Sequence, residues 1–424
     1  MDEKSLKERV ANGDIEKIAL TKRITIEGDS KIYSVYKIPL NYLYYNDQNG
    51  RINTAYRRVI ADEGKLEPSV GETDYNKQFE KLIFESDKKA LKDTENSIKK
   101  NGQQEPGVVL NDGRVIDGNR RLTAIRRIQR ESGNTEYFEA AILNLEVGRR
   151  VDEKKIKQLE LDLQLGREER KNYDPIDRIF DVYDTVKVQR LLTINEYKTA
   201  SGAGNTKGIN RDLRLADLII RFLQIVSPKK GMDESMDEKF YLARDLKLDG
   251  PIEEIEGVLT KLEDNKNAIT DNVLTTLAVQ IANSDNGDRD TTRKMRDIKT
   301  HILKNPDIKA NYIKATDENA DVVMEYFDDN PIESSNDLKQ NIQNDATVVE
   351  AANRLVSSTN RLVRRGKEKS VRQQSLTQLE NIRDNLSEIS PDDFLDLRAD
   401  ELGKVDEVLK NIQDLLYKLR SERK

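Results

Sequence analysis

The spacing of apolar residues changes sharply near residue 117. Two short apolar runs, 108–110 and 114–116, flank residues 111–113, Asn-Asp-Gly, which carry the Asp-Gly signal of a tight hairpin turn. After Gly118 the apolar positions recur every third residue, as on one face of a helix. They are Leu122, Ile125 and Ile128. The pattern therefore predicts a strand, a turn, a returning strand, a glycine turn and a helix.

The start of this predicted helix has the chemistry of an anion site. Gly118 lets the backbone approach a ligand closely, and a helix N-terminus offers free N–H groups and partial positive charge. Arg120 and Arg121 stand in the first turn, where cations oppose the helix dipole. Arginine holds phosphate in a forked geometry. The pattern favours a bound phosphate over the alternative, a surface helix with a solvated basic face.

The residues around this unit predict a small α+β domain spanning residues 1–150. Alternating runs at 24–27 and 33–39 predict strands, and 138–145 predicts one more. The stretch 77–99 predicts one helix, which ends at the Asn-Gly pair that follows it.

Residues 151–230 predict a helix-turn-helix. A short helix at 192–198 and a glycine turn at 202–206 precede a longer helix from Lys207 to Val226. Lys207, Arg211 and Arg214 lie on one face of that second helix, which can enter a DNA major groove in this arrangement. The alternative is an ordinary helical hairpin with a solvated charged side.

The remaining chain predicts helices without distinctive chemistry at 231–345 and a C-terminal helical hairpin at 346–424. The first hairpin helix has a basic centre, either solvated or touching a DNA backbone, and is predicted to be interrupted at Gly366. The second carries a heptad seam at Leu402, Val405, Leu409, Ile412, Leu416 and Leu419. These helices either pair with each other or, as we prefer, join a second copy in a homodimer.

Composition restricts the classes of function. The net charge of −6 requires any DNA contact to come from local patches. The absence of cysteine excludes disulfides, thiolate catalysis and cysteine zinc sites, and indicates a cytoplasmic protein. With His301 as the single histidine, neither a Ser-His-Asp triad nor a multi-histidine metal site is expected. No apolar run reaches the roughly 18 residues of a membrane span, so no membrane partner is expected.

Two segments carry a resemblance to a known family. Asp117-Gly118-Asn119-Arg120-Arg121-Leu122-Thr123-Ala124 resembles the Gly-Glu-Arg-Arg-x-x-Ala motif of the ParB-type partition proteins. Residues 102–109 are similar to the glycine, proline and strand segment that precedes that motif. Members of the family bind a nucleotide, CTP in the best-understood branch, through the double arginine and act as DNA-binding clamps.

The resemblance covers residues 31–226 and implies a ParB/sulfiredoxin-like mixed domain followed by a helix-turn-helix. It implies DNA as a partner and a nucleoside triphosphate as cofactor, CTP before the others, with or without Mg²⁺. The binding residues that it implies are Gly118, Asn119, Arg120, Arg121, Thr123 and Gln104. By the same analogy the pocket is lined by Asn46, Asn49 and Arg51, unless these form only a polar turn.

The chain departs from the family at two places. Asn119 stands where the family has Glu, and the Glu-Asn-x-x-Arg box is replaced by Glu160 and Asp162, followed by Arg167 and Arg170. Because these positions serve the metal and nucleotide turnover in the family, hydrolysis is not implied here.

Three functions stay open. The first is a DNA-binding protein controlled by a nucleotide, as in plasmid partition. The second is a nuclease or NTPase on the same scaffold, in plasmid maintenance or phage defence. The third is a helical adaptor. Sulfiredoxin chemistry needs a cysteine, which this chain lacks.

Overall fold

The computed structural model describes residues 4–50, 52–165, 174–228, 239–284 and 288–422. Packing divides the chain into two compact units, which we call the large unit (1–361) and the tail unit (362–424). The four segments inferred from the sequence, with boundaries near 150, 230 and 345, stay a prediction.

The large unit begins with a mixed α+β region followed by helices, which confirms the α+β part of the predicted fold class; the helix-turn-helix and the coiled coil stay predictions. Its strands are β1 Glu16–Ile26, β2 Asp29–Pro39, β3 Tyr44–Tyr45, β4 Gly107–Leu110, β5 Arg114–Asp117 and β6 Tyr137–Leu143. Its helices are α1 Leu6–Ala11, α2 Asn53–Glu63, α3 Asp74–Ser86, α4 Lys88–Asn101 and α5 Asn119–Ser132.

The rest of the described chain is helical. The next helices are α6 Arg150–Leu165, α7 Pro175–Tyr183, α8 Ile194–Ala200, α9 Lys207–Val226, α10 Tyr241–Asp245, α11 Asp249–Leu259 and α12 Lys266–Ala282. They are followed by α13 Asp288–Ile298, α14 Pro306–Asp329, α15 Ser335–Asn344, α16 Ala346–Ser387 and α17 Ala399–Ser421.

The strands form one six-stranded sheet in the order β1-β2-β6-β4-β5-β3. The pairs β1–β2, β2–β6 and β4–β5 are antiparallel, whereas β6–β4 and β5–β3 are parallel. The predicted hairpin at 108–116 is confirmed as β4 and β5, with Gly113 at φ 96° in the turn. The predicted glycine turn and helix follow directly as Gly118 and α5.

Helices cover both faces of this sheet. On one face Leu122 and Ile125 of α5 join a core that includes Val109 and Phe138. On the other face Ile156 and Leu159 of α6 pack against a core from β4, β5 and β6. Alternate residues of the strands therefore point into two separate apolar layers, which fixes where α5 and α6 begin relative to the strand ends.

Two sequence-based expectations about helices were wrong. The single helix predicted at 77–99 is two helices, because the side chain of Asp87 accepts the N–H of Ala90 at 2.9 Å and starts α4 anew. The predicted interruption at Gly366 is absent, since α16 continues through it. One glycine costs a helix about 1 kcal/mol, which neighbouring turns offset in a helix this long.

A buried carboxyl joins the sheet region to the helices that follow it. Asp177 in the first turn of α7 is fully buried and accepts hydrogen bonds from the N–H and the hydroxyl of Thr54 on α2. Arg244 of α10 lies 3.4 Å away, and Asp174 is close enough to act on the same carboxyl. Burial raises the pKa of Asp177 from its ordinary 3.8 to about 7, against the opposing effects of Thr54 and Arg244.

This raised pKa predicts how stability depends on pH. The native protein keeps a proton on Asp177 that the unfolded chain releases above pH ~4, so stability from this group is present below pH ~4 and is lost as the pH rises to about 7. In the wild type the free energy of unfolding should fall by on the order of 1–4 kcal/mol over this pH range because of Asp177. The Asp177→Asn variant has no such proton to release, so its free energy of unfolding should not show this decrease. Urea unfolding across this pH range measures it, with Asp162→Asn, an exposed carboxyl on α6, as control. Equal pH profiles for Asp177→Asn and the wild type would refute the assignment.

Candidate functional site

The parallel pairing of β3 and β5 sets the position of the candidate site. Tyr44 pairs with Arg114, and Tyr45 pairs with Val115. Because parallel strands end at the same edge of a sheet, the segment after β3 (46–50) and the turn after β5 lie side by side. Both segments were singled out by the sequence, and the fold brings them to one edge.

Gly118 makes the turn between β5 and α5. It has φ 98° and ψ 19°, in the left-handed region, and it is the N-cap of α5. A Cβ atom here would lie 2.8 Å from the Phe138 ring and 3.2 Å from a guanidinium nitrogen of Arg121. Only glycine fits, and having no side chain it gives no side-chain cap to the first N–H groups of α5.

Asn119 is the first residue of α5 and carries an unsatisfied polar atom. Its side chain is 8% exposed, and its Oδ1 has no hydrogen-bond partner among the described residues. Leaving a buried acceptor unpaired costs about 1–3 kcal/mol. Such a group at a helix N-terminus suits a ligand that brings an N–H or O–H donor.

The two arginines have different surroundings. Arg121 is mostly buried and donates to the carbonyl oxygen of Glu105 at 2.6 Å and to Asp117 Oδ2 at 3.3 Å. It therefore ties the turn to the segment before β4. Arg120 is half-buried on the neighbouring position of the same turn. Arg120 therefore stands beside a turn whose shape Arg121 maintains.

Thr123 and Gln104 are placed differently from the motif arginines. Thr123 is fully buried, and its hydroxyl donates to the carbonyl oxygen of Asn119 at 2.9 Å and lies 2.9 Å from the Tyr45 hydroxyl. Its contacts position Asn119. Gln104 is exposed, and its amide donates back to the carbonyl oxygen of Asn101. Gln104 directly precedes Glu105, whose carbonyl oxygen Arg121 contacts, and its ligand role stays a prediction.

The segment after β3 is buried and tied to both neighbours. Asn46 accepts a hydrogen bond from the buried Arg114 at 3.2 Å, and Asn49 is buried as well. The N–H of Gly50 donates to Oε1 of Glu160 on α6 at 3.4 Å, and burial raises the pKa of Glu160. Glu160 of the altered box therefore reaches this segment.

Other members of the predicted site cannot be placed in the same way. Asp162 is exposed. Arg51, Arg167 and Arg170 lie outside the described residues.

Sequence reasoning missed two buried lysines near the site. Lys22 of β1 contacts Asp117 Oδ2 at 3.1 Å and donates to the carbonyl oxygen of Pro106, so it supports the same turn as Arg121. Lys157 of α6 lies 3.5 Å from Glu160 and 2.5 Å from Asp181. Their partners are distant in sequence, and no local pattern signals such pairs.

The helices of the predicted helix-turn-helix form where expected, but the proposed DNA contacts have partners. Thr193 and Glu196 cap α8 reciprocally, and α9 begins at Lys207, which is exposed. Arg211 pairs with Glu253 of α11 at 2.5 Å, and Arg214 pairs with Glu256 of the same helix. The basic face of α9 therefore lies against an acidic face of α11.

Metal and membrane features were sought in the described part of the chain. Its His, Asp and Glu residues contain no group of three or more that is arranged to hold a metal ion. None of its helices is both long and apolar enough to cross a membrane.

No protein-family model matches the chain, and no curated protein is significantly similar to it. Among solved structures, the chain is similar to a Pnob8-like ParB-N domain, with 12% sequence identity and a TM-score of 0.31. The match covers 66% of this chain and 97% of that one. It names the family that residues 117–124 resemble, but a similarity this distant carries no argument of its own, so function is argued below from the site.

The ion pairs on α9 generate a prediction about DNA affinity. The Arg211–Glu253 pair is exposed on both sides, and such pairs are worth about 0–1 kcal/mol, so a phosphate can compete for Arg211. Arg214 is itself exposed, although its partner Glu256 is buried. Replacing Glu253→Gln and Glu256→Gln together should raise affinity for duplex DNA about two- to tenfold and steepen its salt dependence. Fluorescence anisotropy over a salt series measures both quantities.

The control for that experiment removes two exposed carboxylates elsewhere, Glu318→Gln and Glu325→Gln on α14. It changes the net charge equally. If both double variants alter DNA affinity alike, α9 is not the DNA-contacting helix.

Proposed function

We propose that this chain is a ParB-like DNA-binding protein whose hold on DNA is controlled by a nucleotide bound at the first turn of α5. The proposal combines the motif at 117–124 with the geometry of the turn that those residues make. CTP is the first candidate and other nucleoside triphosphates come after it, with or without Mg²⁺.

One observation carries the proposal: a single helical turn offers both anion donors and an unpaired acceptor. The N–H groups after Gly118 and the guanidinium of Arg120 suit phosphate oxygens. The buried Oδ1 of Asn119 needs a donor instead. A nucleotide meets both needs, because its nucleoside carries hydroxyl and amino groups, whereas a bare phosphate is mainly an acceptor.

Each residue of the turn then has a definite role. The backbone of 119–121 and Arg120 bind the phosphates, and Asn119 orients the nucleoside. Arg121 and Thr123 hold the turn and Asn119 in place through the contacts described above. The triphosphate supplies negative charge that offsets cations at a helix N-terminus. Because an asparagine amide is not a general base at neutral pH, the proposal assigns no hydrolysis to this site.

A chain of buried contacts supports control of the DNA-binding helices by this site. The N–H of Gly50 meets Glu160, and Glu160 lies beside Lys157. Lys157 binds Asp181 of α7, and Asp181 accepts a hydrogen bond from Tyr197 of α8 at 2.8 Å. A ligand that moves the segment after β3 would thus act on the helix that precedes α9.

Calorimetric titration with CTP, ATP, GTP and UTP tests the proposal. Hydrogen bonds to charged groups are worth about 1.5–3 kcal/mol, so Arg120→Ala should weaken nucleotide binding about ten- to a hundredfold. Asn119→Ala should weaken nucleotide binding but leave inorganic triphosphate binding nearly unchanged. DNA affinity should respond to the nucleotide in the wild type and not in Arg120→Ala.

The matched control is Arg149→Ala, an exposed arginine outside the motif, which should bind nucleotide as the wild type does. Circular dichroism checks that each variant is folded. Equal nucleotide affinity of Arg120→Ala and the wild type would refute the site, and nucleotide binding without any effect on DNA would refute the control mechanism.

A further inference from the structure

A cavity of about 680 Å³ lies within the large unit. Its walls come from α2, the turn that follows α7, residues 239–241 and Glu333, together with Asp47 and Gln48 of the segment after β3. No residue of the motif at 117–124 lines it. Cavities of roughly 300–1,000 Å³ hold small organic ligands, so this one has room for a molecule the size of a nucleoside or a disaccharide.

Tyr56 of α2 gives this cavity a buried polar group that needs a partner. Tyr56 is 4% exposed, and its hydroxyl has no hydrogen-bond partner among the described residues. Burial raises the pKa of Tyr56 to about 12, with Asp47 and Glu67 acting in the same direction. The hydroxyl therefore keeps its proton at neutral pH and can both donate and accept. Because an unpaired buried hydroxyl is unfavourable, a ligand that completes its hydrogen bonds is favoured here.

Most charges around the cavity are already paired within the protein. The charged residues that line it are Arg57, Lys65, Lys157 and Lys239 with Asp47, Asp184 and Glu333. Arg57 lies 3.7 Å from Asp184, and Lys239 lies 2.7 Å from Glu333. Asp47 and Lys157 pair with residues outside the lining, Arg114 and Asp181. The wall thus carries little unbalanced charge, which favours a neutral ligand over a strongly charged one.

The remaining lining residues suit hydroxyl groups attached to a ring. Gln48, Asn53 and Gln189 contribute side-chain amides, and each amide both donates and accepts. Ile60 and Tyr241 line the cavity beside them. Polar groups that fix orientation, next to aliphatic and aromatic ones that cover carbon, are the ordinary composition of a small-molecule site.

We propose that this cavity binds a neutral, polyhydroxylated ring compound, which is a free sugar or the ribose of an unphosphorylated nucleoside. A hydroxyl group donates one hydrogen bond and accepts others. Neighbouring hydroxyls can therefore satisfy Tyr56 and bridge the amides and carboxylates of the wall without adding charge. This inference does not rest on the nucleotide site, because it uses none of the residues assigned to that site.

A ligand in this cavity would connect parts of the fold that are distant in sequence. Asp47, Arg57, Asp184 and Glu333 belong to four separate segments, and all of them line the cavity. A compound that binds the native protein and not the unfolded chain stabilises the native protein as its concentration rises. The midpoint of thermal unfolding should therefore increase with occupancy.

Binding is tested with uncharged probes, so that phosphate contacts play no part. The full chain is titrated with D-ribose, trehalose, cytidine and adenosine by calorimetry, and the midpoint of thermal unfolding is measured alongside. At least one probe should bind saturably and raise the midpoint. Binding of the nucleosides alone would support the nucleoside form, and binding of ribose or trehalose would support the sugar form. If none of the four binds, the proposal is wrong.

A bulky residue at the mouth tests whether the cavity is the binding site. Ala61 of α2 is exposed and lines the cavity, so Ala61→Trp blocks it without disturbing the core. Affinity for the bound probe should fall at least tenfold. The matched control is Ala310→Trp, an exposed alanine on α14, which should bind as the wild type does. Unchanged affinity in Ala61→Trp would overturn the proposal.

The Tyr56 hydroxyl is tested by Tyr56→Phe, which removes one oxygen atom and keeps the ring. A neutral hydrogen bond corresponds to about a two- to tenfold change in affinity, so the probe should bind that much more weakly. The ligand-free variant should be at least as stable as the wild type, because the unpaired group is gone. Equal probe affinity in Tyr56→Phe and the wild type would refute the role of the hydroxyl and, with it, the proposed site.

Methyl nuclear magnetic resonance of isoleucine-labelled protein locates the bound probe. The signal of Ile60, which lines the cavity, should shift saturably, and that of the buried Ile302 should not. Probe binding should persist in Arg120→Ala and Asn119→Ala. Loss of probe binding in these two variants would assign the probe to the first turn of α5 and overturn the cavity site. A failed nucleotide titration would leave probe binding at Ile60 intact, so the two proposals can fail separately.

Discussion

The parallel pairing of β3 with β5, followed by a turn that only Gly118 can make, is the constraint on which the candidate site depends. The pairing brings residues 46–50 beside the start of α5. The left-handed turn then starts a helix directly after the strand, and its first N–H groups have no side-chain cap from Gly118. A residue with a Cβ at 118 would meet the Phe138 ring and misplace all of them at once.

Charged side chains around this turn stabilise the conformation of the backbone as well as offering groups that could bind a ligand. Asp117 is held between Lys22 and Arg121, so one of the two motif arginines is a structural support, and the proposed function assigns the anion contacts to Arg120 and the backbone. Ion pairs also hold the basic residues of α9, where Arg211 pairs with Glu253 and Arg214 pairs with Glu256. On α9 the cations are already organised, and a phosphate would compete there with a carboxylate rather than order a loose side chain.

Local patterns were enough to predict the central unit. An Asp-Gly turn and the switch of apolar period at Gly118 both depend on residues close in sequence, and each element formed as predicted. The break at Asp87 was missed because a capping side chain inside a polar stretch leaves the apolar period almost unchanged. The contact of Lys157 with Asp181 depends on which surfaces meet in three dimensions, as does the lack of a partner for Asn119 Oδ1 among the described residues, and neither has a local signature.

The most direct test of the central claim is whether a nucleotide contacts the first turn of α5. Nuclear magnetic resonance of selectively arginine- and asparagine-labelled protein follows the backbone N–H signals of 119–121 while CTP is added. We predict that these signals shift and saturate together with the binding isotherm, with signals of α13 and α14 unchanged. Saturable nucleotide binding that leaves the signals of 119–121 unmoved would contradict the account.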